Sequence, residues 1–144
     1  VKRLISEYDC VIIGVGSSEK SYTTDNPFTF SERKRMISSC FSEEMKRLRI
    51  IAIPDINNDE KWVSHVISCV PQFSIVYSNN SWVRKLFRRA KIKVGRTEWH
   101  DRKNCMAKRI REKIAQTKSW EKSVPMPVIK IIKKVNGEER IHLL

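Results

Sequence analysis

Five short stretches hold the residue types that handle phosphates and planar rings. Gly14-Val15-Gly16-Ser17 closes an apolar run, Asn26-Pro27 precedes a helix-capping pattern that Arg33 follows, and Asp55 follows Pro54. Tyr77-Ser78-Asn79-Asn80 closes another apolar run, and Lys108-Arg109-Ile110-Arg111 is strongly basic. A guanidinium near a helix start can share an anion with the free backbone N–H groups of the first turn, which makes Arg33 a candidate phosphate ligand. Trp62 offers a ring face suited to stacking on a planar cation.

Each candidate also has a plainer reading. Arg33 lies beside Lys34 and Arg35 and could be a solvated basic residue; Trp62 falls on an apolar helix stripe and by itself reads as core. Asp55 could cap the next helix, Tyr77 to Asn80 could be an ordinary strand-to-helix turn, and most lone glycine pairs are simply turns.

These residues need elements to position them. Val1 to Ser6 reads as the end of a helix, and Cys10 to Val15 as a strand covered on both faces. Thr29-Phe-Ser-Glu32 has capping-box spacing and predicts a helix from about residue 30 to 46. Arg49 to Pro54 is a second strand, followed by a helix with Trp62, Val63, Val66, Ile67 and Val70 in a buried stripe. Ser74 to Tyr77 is a third strand, and the next helix carries Trp82, Val83, Leu86 and Phe87. Ile92 and Val94 alternate with lysines as a half-exposed fourth strand. Helices follow at 105–117 and 125–135, the second stopped by Asn136-Gly137. Strands alternating with helices predict an α/β fold around a parallel sheet, whose ligands bind at the carboxyl ends of the strands.

The 144 residues suit one domain, 40% apolar and 31% charged, a mix that excludes disorder and leaves no span long enough for a bilayer. Four cysteines about thirty residues apart, without a C-x-x-C pair, argue against a zinc site and for reduced thiols in the cytoplasm. The net charge of +13 lies wholly beyond residue 83: 1–83 holds ten basic and ten acidic side chains, 84–144 nineteen and six. Such a surface attracts phosphorylated molecules or polyanions.

The strand-end residues resemble a known family. Ile12-Ile-Gly-Val-Gly-Ser17, Asn26-Pro-Phe-Thr29 with Glu32-Arg33, Pro54-Asp55 with Trp62-Val-Ser64, Ile75-Val-Tyr-Ser78 with Asn80, and Ile110-Arg111 with Trp120 and Val124-Pro125 are similar, in order and spacing, to archaeal-type nicotinamide-nucleotide adenylyltransferases of the H-x-G-H nucleotidyltransferase superfamily. The resemblance implies a Rossmann-like nucleotidyltransferase domain over residues 1–144 that joins nicotinamide mononucleotide to the AMP of ATP, with Mg²⁺ assisting. It implies phosphate contacts by Arg33 and Arg111 and substrate contacts by Gly16, Ser17, Asn26, Asp55, Trp62, Tyr77, Ser78 and Asn80; Lys108, which departs from the family pattern, would supply charge at the substrate in place of a hydroxyl. Trp62 would stack on the nicotinamide ring and Asp55 would accept from its carboxamide.

Three departures qualify that picture. Where the family has S-G-T-x-I-R, this chain has Met106-Ala107-Lys108-Arg109-Ile110-Arg111, so Lys108 replaces a short fixed hydroxyl and weaker ATP binding is expected. Asn79 stands at a usual glycine. The family's opening strand and H-x-G-H are absent, and His65, His100 and His142 lie elsewhere in the pattern. The expectation is of a domain truncated at its N-terminus, poorly stable with a central strand missing. The alternatives are an inactive relative that only binds nucleotide, or a basic nucleic-acid binder using Trp82, Phe87, Trp99 and Trp120. The resemblance also makes a homo-oligomer an expectation; no membrane contact is expected.

Overall fold

The computed structural model describes residues 1–98 and 105–144, which form two compact units: residues 1–54 with the C-terminal helices, and the segment that begins at Asp55. Along the chain run α1 (Lys2–Glu7), β1 (Val11–Val15), α2 (Phe30–Ser39), β2 (Leu48–Ala52), α3 (Asp59–Cys69), β3 (Val76–Tyr77), α4 (Ser81–Arg89), β4 (Val94–Gly95), α5 (Ala107–Ala115), α6 (Met126–Lys134) and α7 (Gly137–His142). Trp99 and His100 lie outside the described residues.

Strands β1 and β2 pair in parallel, Val11 opposite Leu48 and Val15 opposite Ala52; β3 and β4 do the same, Val76 opposite Val94. Parallel neighbours need a crossover, and α2 supplies it in the first unit as α4 does in the second. Parallel strands flanked by helices make the fold α/β, as the sequence pattern predicts, and each two-stranded ladder belongs to its own unit.

In the first unit Ile5, Leu48 and Ile50 are buried against Val11, Ile13, Val15, Ile37 and Phe41. A separate cluster joins Met36 of α2 to Ile114, Trp120, Ile129, Ile132 and Ile141 of the C-terminal helices. There the Trp120 indole N–H donates to Glu138 at 2.9 Å, satisfying the one polar atom that its burial hides. In the second unit Phe87 is 2% exposed. It meets Trp62 and Phe73 edge-on, with ring centroids 5.7 and 6.3 Å away.

The structure corrects three details of the sequence reading. Helix α2 ends at Ser39 rather than near 46, because Ser38 and Ser39 turn their hydroxyls back on the carbonyls of Arg35 and Met36 and compete with the helix ladder. The stripe of α3 is narrower than its apolar residues suggest: Val63 and Val66 are buried, whereas Ile67 is 46% exposed. Beyond α6 it is Asn136, not Gly137, that takes the left-handed turn, with φ of 50°. Gly137 serves close packing instead, since a Cβ there would stand 2.7 Å from the Phe28 ring and 3.0 Å from the Ile132 carbonyl. Among the described residues no helix is long and apolar enough to cross a membrane.

Candidate active site

The first unit fixes its strand-end loop with one side chain. Arg33, one turn into α2, donates through Nη1 to the carbonyl of Gly16 at 3.0 Å, and through Nη2 to those of Ser17 at 2.8 Å and Lys20 at 3.2 Å. The loop needs that hold because Ser17 sits at φ of 48°, a left-handed conformation that a β-carbon disfavours. The glycine pair therefore does not supply the left-handed residue; Gly16 instead leaves open space, with nothing within 4 Å of where a Cβ would be. Arg33 Nε is buried and has no hydrogen-bond partner.

Helix α2 starts as its sequence predicts. The Thr29 hydroxyl accepts from the Glu32 N–H at 3.2 Å and the Glu32 carboxylate accepts from the Thr29 N–H at 2.8 Å. Sequence reasoning missed what holds this cap. Arg140 of α7 pairs with Glu32 in a fork, Nη1 to Oε2 at 2.7 Å and Nη2 to Oε1 at 3.1 Å. It also donates to the carbonyls of Pro27 and Val135. Its guanidinium lies 4.7 Å over the Tyr22 ring and 5.7 Å from that of Phe28. Burial pushes the Glu32 carboxyl up, but the hydrogen bonds from Arg140 and Thr29 outweigh it and leave the group below its ordinary value. The Glu32 bond and charge hold Arg140 above its own, against the opposing pull of burial.

Asn26 closes a tight turn, its N–H donating to the Thr23 hydroxyl at 3.0 Å and its carbonyl accepting from the Thr23 N–H at 3.2 Å. Next to it Asp25, with its side chain 85% exposed, accepts from Arg111 at 3.4 Å. Arg111 lies in the second turn of α5, behind an N-terminus at Met106 that has no side-chain cap, and Lys108 is exposed in the first turn.

In the second unit Asn58, rather than Asp55, caps α3, its side chain accepting from the Lys61 N–H at 3.0 Å. Asp55 is exposed before it. Trp62 is half-buried and tilted 59° against Trp82 at 4.9 Å, so its ring is part of an aromatic cluster and also retains exposed surface. The Tyr77 ring crosses Gly95 so closely that a Cβ would collide with it; Gly95 is a contributor that composition alone does not reveal. Asn80 caps α4, accepting from the N–H groups of Trp82 at 2.9 Å and Val83 at 3.4 Å, while the Ser78 hydroxyl accepts from the Asn80 N–H at 3.1 Å. Asn79, where a glycine was expected, earns its place by pairing with Thr97: its Nδ2 donates to the Thr97 hydroxyl at 3.0 Å and its Oδ1 accepts from the Thr97 N–H at 3.2 Å. His65 contacts the Cys69 sulfur at 3.8 Å on α3, and His142 ends α7.

Comparison with known proteins gives the family. No family model matches the chain. The chain is 42% identical over 145 residues to the nicotinamide-nucleotide adenylyltransferase of Thermoplasma acidophilum, covering 100% of this chain and 81% of that protein. For the Thermoplasma volcanium protein of the same name the identity is 40% over 145 residues, with 100% and 82% covered. For that of Archaeoglobus fulgidus it is 40% over 148 residues, with 99% and 85% covered. At that identity along the whole chain, the protein belongs to the nicotinamide-nucleotide adenylyltransferase family, enzymes of the nucleotidyltransferase class that serve NAD biosynthesis.

Proposed function

We propose that the chain transfers the AMP part of ATP to nicotinamide mononucleotide, giving NAD and pyrophosphate. A phosphate oxygen of the mononucleotide attacks the α-phosphorus in line, the bond from that phosphorus to the oxygen leading to the β-phosphate breaks, and pyrophosphate departs. Such a transfer asks the protein for alignment and for neutralisation of phosphate charge, with no covalent intermediate.

The observation that carries this reading is the grip of Arg33 on three carbonyls of the loop after β1. It holds Gly16 and Ser17 at the carboxyl end of a parallel strand, where α/β folds take their ligands. Arg111 is assigned to the phosphates, with Lys108 adding charge; Arg33, its Nη atoms spent on the loop, positions the residues that border them, and Asn26 shapes the adjoining turn. Trp62 stacks on the cationic nicotinamide ring, Asp55 accepts from its carboxamide, and Tyr77, Ser78 and Asn80 meet the ATP portion.

Mg²⁺ would offset charge on the triphosphate. Among the described residues no three His, Cys, Asp or Glu side chains form a metal cage. Mg²⁺ in such transfers is commonly held through substrate phosphates and keeps several waters. We place the reaction in the cytosol, a compartment that suits four cysteines without a disulfide.

The test is incubation with ATP, nicotinamide mononucleotide and Mg²⁺, following NAD by its enzymatic reduction to NADH. NAD and pyrophosphate in equal amounts are expected. Mononucleotide binding without NAD would overturn the transfer in favour of a nucleotide-binding relative, the reading that Met106-Ala107-Lys108 favours by lacking the hydroxyls of the family signature.

A further inference from the structure

At the carboxyl ends of β3 and β4, two segments are pinned side by side. The Ser78 N–H donates to the Gly95 carbonyl at 3.3 Å, and Asn79 and Thr97 exchange two hydrogen bonds. Arg96 lies between those anchors, so its backbone is fixed opposite Ser78 and Asn79. Arg84, one turn into α4, donates from Nη1 to the Ser78 carbonyl at 3.1 Å. Arg88 follows four residues later, on the same helix face.

Among the described residues this cluster carries no counter-charge: no carboxylate pairs with Arg84, Arg88 or Arg96, and Arg84 Nε is buried without a hydrogen-bond partner. Burial, then the charges of Arg96 and Arg88, pull Arg84 below the usual guanidinium value, in keeping with Arg88 one turn further along α4 and with Arg96 pinned opposite Ser78. Like charges gathered without a counter-charge repel, and the arrangement gains when an anion fills it. A single carboxylate would satisfy one guanidinium. A chain of linked phosphates offers several charges at spacings of a few ångströms and acceptor oxygens that match the planar fork of arginine.

We propose that Arg84, Arg88 and Arg96 form a binding site for the polyphosphate chain of a nucleoside triphosphate, with Ser78 and Asn80 at its edge. The assignment deepens the AMP-transfer reading and rests on it for the identity of the nucleotide. None of the three arginines is among the residues the family resemblance singles out, and together they put part of the chain's excess positive charge to a specific use.

The test measures inorganic tripolyphosphate binding to the full chain by calorimetry at low and moderate salt, for the wild type, Arg84→Gln, Arg88→Gln, Arg96→Gln and the triple variant. Each single change is expected to weaken binding roughly 3- to 10-fold and the triple variant to abolish it. Arg84→Lys, which keeps a charge and a donor toward Ser78, should recover part of the Arg84→Gln loss and guards against a folding artefact. Unchanged tripolyphosphate affinity in the triple variant would overturn the site, even if NAD is still formed. Arginine-dependent tripolyphosphate binding without NAD formation would uphold the site while overturning the AMP-transfer reading. Failure to bind tripolyphosphate, with single-stranded RNA bound instead and released steeply by salt, would also overturn it, assigning the surface to nucleic acid.

Discussion

Arginines do opposite work in the two units. In the first, Arg140 and Arg33 are consumed by the protein: one by a carboxylate, two carbonyls and two rings, the other by three carbonyls of a single loop. In the second, Arg84 spends one bond on Ser78 and is otherwise subject to the charges of Arg96 and Arg88. The same side chain is a structural tie where acceptors surround it and an anion receptor where other cations do. Neighbours, not residue type, assign the role.

That contrast predicts its largest effect at Arg140. Arg140→Met should lower stability in urea by about 2–3 kcal/mol, because Glu32 keeps its sheltered position and loses its partner. Arg84→Met should leave the same midpoint almost in place. Equal losses at the two positions would dissolve the distinction.

Next come the glycines that let rings approach the backbone, one in each unit. Gly137→Ala drives a methyl against the Phe28 ring and the Ile132 carbonyl, and Gly95→Ala drives one against Tyr77. Each should cost about 1–3 kcal/mol by thermal denaturation, whereas Gly16→Ala, in open space, should cost far less. A loss at Gly16 as large as at Gly137 would mean that the loop after β1 is packed more tightly than its geometry indicates.

The smallest effect is a pH dependence confined to the first unit. The folded-state value of Glu32 lies below its ordinary 4.5, so its contribution is complete above that value and is lost as pH falls through the lower folded value. Amide hydrogen exchange should show the start of α2 losing protection below pH 4.5 while α4 holds, since guanidiniums do not titrate there. Simultaneous loss in both helices would refer the effect to another group.

The sequence by itself determined the order of strands and helices, the capping box at Thr29 and Glu32, the cap at Asn80, and the family. Each of these is local: hydrophobic period and the reach of a short side chain are set within a few residues. It left Trp62 balanced between core and stacking, and the structure shows why, with the ring packed against Trp82 and Phe87 yet not fully buried. Only the tertiary structure decided that Arg140 holds Glu32 across 108 positions, that Arg33 turns back 17 residues to Gly16, and that the segment after Gly95 is pinned against Ser78, whose carbonyl Arg84 holds. The physical reason is that a guanidinium on a flexible stem takes its meaning from whatever acceptor the fold brings within about 3 Å, and that partner has no fixed spacing along the chain.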